Sequence, residues 1–572
     1  MTRLGEIGIE GSRPSWLDLF TPKLLTVLRE GYELRHLRAD AVAGLTVAIV
    51  ALPLSMAIAI ASGVSPAQGL YTAITGGFLV SALGGSRFQI GGPAGAFIVL
   101  VAATVQAHGV DGLILATILS GIILVLAGFL QLGTYIKFIP YPVTVGFTAG
   151  IGVIIFASQV KELLGLRLID VEPGPLLNKV PVLWNSLPSI NPATVAVSLA
   201  TIAVIVGLKK VRPQWPGMLI AVTAGAAATA LVDLPVATIG TKFGGIPESL
   251  PFPSLPDLSL AKVQAVLPSA AAFALLGSIE SLLSAVVADG MTGRRHRSNC
   301  ELVGQGIANI ASGLFNGFSV TGTIARTATN VRAGAHGPIA GMLHSVFLLL
   351  FVVFAAPLAS FIPLASLAGV LAVVAWVMFE RHAFATLLRA SRGDAAVLLT
   401  TFLLTIFRDL TEAIIVGFAL GSVLFIHRMS KATIIQMQPP LIEDDKADDA
   451  NGGRTPYDES SASDPNVVVY RITGAFFFGA AASIGLVLDR IANTHRVLVI
   501  DLSAVPFLDS TAAKTVEGLA HNAIRRGTKI ILTGLSPDVQ RALFTHGVKP
   551  PLVKYQADVH AALRANRTTP RT

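Results

Sequence analysis

The chain has 572 residues, 53% of them hydrophobic and only 13% charged, with a mean hydropathy of +0.69. Soluble proteins carry about 25% charged residues, so an ordinary soluble domain is excluded and a polytopic membrane protein indicated. The single Cys300 excludes an internal disulfide framework, and the net charge of +8 fits basic loops that fix membrane orientation rather than nucleic-acid binding.

Residues 1–38 read as a cytoplasmic N-terminal segment. They lack the apolar core and cleavage site of a signal peptide, and TPKLLTVLRE predicts a short amphipathic helix at the membrane surface. Apolar spans are predicted near 41–62, 67–83, 93–107, 112–132, 141–163, 192–208, 215–232, 264–288, 300–315, 323–335, 338–356, 364–379, 394–408 and 412–427. Several are shorter than the roughly 20 residues of a full crossing. Loop charges alternate in step. Arg87, Lys137, Lys209, Lys210, Arg212, Arg294, Arg295, Arg297, Arg381, Arg389, Arg392, Arg428 and Lys431 follow even-numbered spans. Asp111, Asp170, Glu172, Asp233, Glu248 and Asp257 lie in the odd loops. Basic loops stay inside, so the N-terminus and the C-terminal region are expected in the cytoplasm.

Spans three and ten are short and interrupted. In SRFQIGGPAGAF, Phe88–Ile90 predicts an extended piece, broken by Gly91, Gly92 and Pro93, which start a helix. In FNGFSVTGTIAR, Phe318–Val320 predicts another, and Gly322 opens the second helix. Each span is third in a set of seven. An odd number per set inverts the second relative to the first, giving repeats at about 39–232 and 262–430. Interrupted spans at matching places in two halves point to a transport site. Two half-helix N-termini there offer free N–H groups and partial positive charge to an anion, and Arg326 adds a full charge that is costly inside a bilayer unless it is used. Two glycine-rich loops capping ordinary helices are the plainer reading. In span eight, Glu280 and Ser284 share a helical face, with Ser281 beside them and Asp289 near the end. Glu280 is a candidate proton carrier, or else a structural partner of Arg326.

The acidic stretch within 433–464 predicts a flexible linker. From 465 to 572, strand-like VVVYRI, AFFFGA, RVLVIDLS and KIILTG alternate with helix-like AAASIGLVLDRIA, Ser510–Arg526, VQRALFTHG and DVHAALRANR, which predicts a small α/β domain. No P-loop, metal-ligand cluster or nucleophile elbow is present in the sequence, so an enzyme is not expected. His336 and His344 look isolated, and Cys300 looks like a packing residue.

Several long motifs carry a family resemblance: residues 43–73, GGSRFQIGGPAGAF, GFTAGIGVIIFASQVKELLGL, SIESLLSAVVADGMTG, NCELVGQGIANIASGLFNGF and TIARTATNVRAGAHGPIAG. The chain resembles the sulfate permease (SulP), or solute carrier 26, family of anion transporters, and its C-terminal part resembles their STAS domain. The resemblance implies a polytopic α-helical membrane protein of about 14 transmembrane segments, in a 7+7 inverted repeat with core and gate domains (39–432), plus a soluble α/β STAS domain. It implies a homodimer in the bacterial inner membrane and elevator-like alternating access. It places the anion at Gly92, Pro93, Ala94, Gly95, Ala96 and Phe97, at Gly322, Thr323, Ile324, Ala325 and Arg326, and at a broken part of span one, Pro53 to Ala57 with Ser55. Glu280 and Ser284 are implied for the coupling ion, a proton or sodium, with no metal or other cofactor. Two positions depart from the family pattern. Leu54 stands where many sulfate-type members have glutamine, and Glu280 where sodium-coupled bicarbonate members have aspartate. The first removes a polar ligand and speaks against sulfate, and the longer side chain of the second resembles the proton-coupled branch. Around spans one, eight and ten the chain is most similar to bacterial members assigned to C4-dicarboxylate uptake, which implies proton-coupled uptake of a C4-dicarboxylate, with sulfate, bicarbonate, or uncoupled exchange or conduction as the alternatives. In the STAS-like domain Asp509 and Ser510 sit at a strand-to-helix turn. Ser510 matches a phosphorylated serine of related anti-sigma antagonists, and also suits a helix N-cap. A cytoplasmic regulator could act there.

Overall fold

In the computed structural model the described residues are 19–136, 140–168, 173, 176–212, 215–232, 234–408, 410–432, 434–437, 467–477 and 495–567. The chain divides into two compact units, Met1–Ala419 and Leu420–Thr572.

The first unit is helical. The amphipathic helix is α1 (Lys23–Arg29), and span one is α2 (Leu34–Ala61). Span two is α3 (Pro66–Tyr71), a π turn over Thr72–Gly76, and α4 (Gly77–Leu83). Then β1 (Gly91–Gly92) and a 3-10 turn (Gly95–Phe97) lead into α5 (Ile98–Phe129), which joins spans three and four across a kink at Gly109, φ 70°. Next come α6 (Gly133–Ile136), α7 (Tyr141–Leu164), α8 (Leu176–Ser186), α9 (Pro192–Val211), α10 (Gly217–Val232), α11 (Ile239–Phe243), α12 (Leu260–Thr292) and α13 (Ser298–Leu314). Span ten is β2 (Thr321–Gly322) and α14 (Ile324–Arg332). The helices end with α15 (Ile339–Ala359), α16 (Leu364–Met378), α17 (Arg381–Ala390), α18 (Arg392–Phe407) and α19 (Leu410–Ala432). Among the described residues, eight helices are long and apolar enough to cross a membrane.

These helices pack as two groups. Spans one to four pack with eight to eleven, and spans five to seven with twelve and thirteen; α2 touches both α10 and α16 of the second group. Small residues permit the closest contacts, as expected where helices must meet without a hydrophobic drive from water. A Cβ on Gly121 of α5 would strike the carbonyl of Gly306 in α13, and one on Gly306 the carbonyl of Gly121. The break expected in span one is absent: α2 runs unbroken through Pro53. Proline removes one backbone donor, but residues 51–59 of α2 are all buried among other helices, which hold its course.

The second unit carries a five-stranded sheet in the order β3 (Ile434–Met437), β4 (Val467–Thr473), β5 (Val497–Ala504), β6 (Lys529–Thr533), β7 (Lys554–Gln556). β3 is antiparallel and the rest are parallel. Continuous apolar runs such as VLVI in β5 are what a parallel strand buried on both faces requires. The helices are α20 (Ser510–Arg525), α21 (Pro537–Thr545) and α22 (Val559–Arg567). Residues 434–437, expected in the linker, instead form the edge strand, because Ile434 to Met437 pair in register with Thr473 to Tyr470. In AFFFGA, Phe476 forms an isolated bridge to Leu508. The acidic stretch from 438 to 464 and AAASIGLVLDRIA lie outside the described residues, as do Lys137, Asp170, Glu172 and Asp233.

Candidate functional site

The two short strands meet. β1 and β2 pair antiparallel, Gly91 opposite Gly322 and Gly92 opposite Thr321. Pairing falls just beyond the extended pieces expected at 88–90 and 318–320, whose backbone is tied largely to side chains. Asn330 Nδ2 donates to the Phe88 carbonyl at 2.9 Å, and the Ile90 N–H donates to Thr327 Oγ1 at 3.1 Å. The Val320 N–H donates to Asn309 Oδ1 at 3.1 Å, and its carbonyl accepts from Asn309 Nδ2 at 2.9 Å and from Gln305 Nε2. The glycines are needed for space: a Cβ on Gly322 would overlap the Gln89 amide, and one on Gly92 the Arg326 guanidinium.

Beneath the strands lies a polar network that the sequence reading missed. Glu301 is fully buried, and accepts from the Gly85 and Ser86 N–H groups at 2.8 and 3.0 Å and from Gln89 Nε2 at 2.7 Å. Gln89 Nε2 also donates to Ser281 Oγ at 2.6 Å. Glu301, Gln305 and Asn309 are four apart in α13 and therefore form one stripe; that spacing was the available signal.

Neither helix start at the crossing has an N-cap side-chain hydrogen bond, so its first N–H groups lack that partner. Arg326 is 2% exposed. Its Nη2 donates to Ser55 Oγ at 3.2 Å and to the Pro93 carbonyl at 3.3 Å. Nε and Nη1 are buried with no hydrogen-bond partner. One guanidinium thus links span ten to spans one and three and keeps donors in reserve.

Most of the predicted set is buried. Pro53, Ser55, Gly92, Pro93, Ala94, Ala96, Phe97, Gly322 and Thr323 are buried; Gly95 and Ile324 are half-buried and Ala325 is exposed. A Cβ on Gly95 would lie 3.3 Å from Ile155 and 3.5 Å from Met378, so the start of span three abuts the second helix group. In α12, Gly277 accepts from Thr321 Oγ1 at 3.1 Å and Ser284 donates to Thr327 at 3.0 Å. Glu280 lies on that stripe, 8% exposed. The expected Glu280–Arg326 ion pair is absent, because the guanidinium turns to spans one and three. Asp289 bonds His296 at 2.6 Å. His336 is not isolated: its ring stacks on His36 at 3.8 Å. His344 is buried without a partner on either ring nitrogen, and Cys300 is buried. In the second unit the helix cap is Asp509, accepting from the Ala512 N–H at 2.8 Å; Ser510 is the exposed first helical residue.

The model of the sulfate permease family matches residues 37–401, and that of the STAS domain residues 461–562. The chain belongs to the sulfate permease family. It is therefore an anion transporter, a multi-pass membrane protein with a STAS domain, and not an enzyme. It is 39% identical over 524 residues to YvdB of Bacillus subtilis, provisionally named a sulfate transporter, covering 91% of this chain and 95% of that one. It is 30% identical over 525 residues to the bicarbonate transporter BicA of Picosynechococcus, covering 89% and 90%. The solved transmembrane domain of a cyanobacterial BicA superposes with a TM-score of 0.61 at 31% identity, over 67% of this chain and 98% of that one. The structure of SLC26A9 superposes at 0.80 with 18% identity, over 95% and 92%, and shares the fold. YvdB and BicA are named for sulfate and bicarbonate, the alternatives to the C4-dicarboxylate expected above.

Proposed function

We propose that the chain is a secondary transporter of a small inorganic oxyanion of the sulfate or bicarbonate class, bound at the β1–β2 crossing and coupled to a proton through Glu280. Arg326 carries the reading. A buried guanidinium with unmet Nε and Nη1 donors is costly unless something accepts from them, and a planar or tetrahedral oxyanion matches the fork. A C4-dicarboxylate brings a second carboxylate, and the described residues at the crossing offer one guanidinium. The substrates in the names of YvdB and BicA support the inorganic anion over the dicarboxylate expected from the sequence. Glu280 would take the proton when the site is dry and release it to water. The spans carrying the anion would move against the second helix group, as an elevator, in a homodimer of the bacterial inner membrane with the STAS domain in the cytoplasm as a docking place for a regulator.

The test is uptake of labelled sulfate, bicarbonate and succinate into proteoliposomes under an imposed proton or sodium gradient. Sulfate or bicarbonate uptake driven by the proton gradient is expected. Succinate preferred over both would overturn the substrate class. Dependence on sodium, or on no gradient, would overturn the coupling.

A further inference from the structure

We propose that a cleft of about 430 Å³, lined by Lys209, Trp376, Arg381 and His382, binds the phosphate headgroup of an anionic phospholipid. It is remote in sequence from the β1–β2 crossing and is built by the second helix group. Lys209 comes from the last turn of α9, Trp376 and Val377 from the last turn of α16, and Arg381 and His382 from the start of α17. The charge alternation places both helix ends on the cytoplasmic face, and the fold brings them together.

The chemistry is amphiphilic. Trp376 is 67% exposed and Val377 54% exposed, which suits the boundary between hydrocarbon and headgroups. The Arg381 guanidinium lies 5.9 Å from the Trp376 ring centroid, within cation–π range, so its charge stands where the apolar surface ends. Glu380 also lines the cleft; Lys209 and Arg381 outnumber it. The floor is fixed, because the Phe379 ring on the wall lies 5.4 Å from Phe384 and 6.2 Å from Phe402. A free phosphate ion would use the two cations alone. The exposed tryptophan and valine beside them select a phosphate attached to an acyl chain.

Full-length protein in detergent can be titrated with phosphatidylglycerol, phosphatidylcholine or inorganic phosphate, following adducts by native mass spectrometry and melting temperature. Phosphatidylglycerol is expected to bind and raise the melting temperature, with the other two weaker. Removing both cations (Lys209→Ala with Arg381→Ala) should weaken phosphatidylglycerol binding about 30-fold, from roughly fivefold per surface cation, while Lys209→Arg with Arg381→Lys retains it. Equal binding of the two lipids, equal stabilisation by inorganic phosphate, or unchanged affinity in the alanine pair would each overturn the proposal. The comparison of the two lipids on the unmutated chain decides it even if the alanine pair fails to fold.

Discussion

In the proposed function one residue, Arg326, sets the chemistry of the site. Its guanidinium is held by Ser55 and Pro93 through Nη2 only, and Nε and Nη1, which have no partner, are the donors proposed to meet the anion. Arg326→Ala should raise the KM for transported anion by about 10- to 100-fold, from roughly 1.5–3 kcal/mol for a charge-assisted hydrogen bond. Lysine there should recover part of the affinity, keeping charge without the fork. Gly92→Ala is the sharper probe. Its Cβ would displace the guanidinium without touching the charge, so KM should rise while the melting temperature changes little. Glu301 is the contrasting buried charge, with every acceptor role filled from within the protein. Glu301→Ala orphans the Gly85 and Ser86 N–H groups and should cost about 3 kcal/mol, read as a lower melting temperature in detergent. Arg326 stands out in the sequence as a charge within an apolar stretch, whereas Glu301 does not draw notice there. What each can do is not legible in the sequence, because it depends on which donors and acceptors are already matched in space.

At the scale of elements, the interrupted spans were legible because glycine and proline punctuate apolar runs. Their pairing was displaced from the expected residues because Asn309, Thr327 and Asn330, distant in sequence, claim the backbone that would otherwise pair. The proline of span one misled for the opposite reason: α2 stays unbroken through it, buried among its neighbours. In the second unit Asp509 caps α20, and Asp509→Ala should cost that domain about 1 kcal/mol, measurable as a lower denaturation midpoint. On the N-terminal side, Arg87 donates to Glu30 and holds its carboxyl below the usual 4.5. A depressed carboxyl stabilises the fold above its unfolded pKa, and that contribution is lost as pH falls through the lowered value. The hydrogen-exchange protection of α1 should therefore fall in acid, below about pH 4.5, and Arg87→Ala should abolish that dependence.

For the whole molecule, the proposed elevator movement would have the two helix groups exchange contacts around the crossing. Glu280→Gln should keep anion uptake but remove its dependence on a proton gradient, which flux assays with and without the gradient will show. Unchanged gradient dependence would assign the proton to another group. Composition, loop charge and the placing of glycine and proline within apolar runs determined by themselves that this is a polytopic membrane protein with matched interrupted spans and a separate α/β domain, since those are properties of patterns along the chain. Only the tertiary structure decided that the two glycine strands pair, that Arg326 keeps unmet donors while the acceptors of Glu301 are filled, and that Lys209 and Arg381 line one cleft. Those facts rest on which groups far apart in sequence the fold brings near one another, and no local pattern of residues contains that distance.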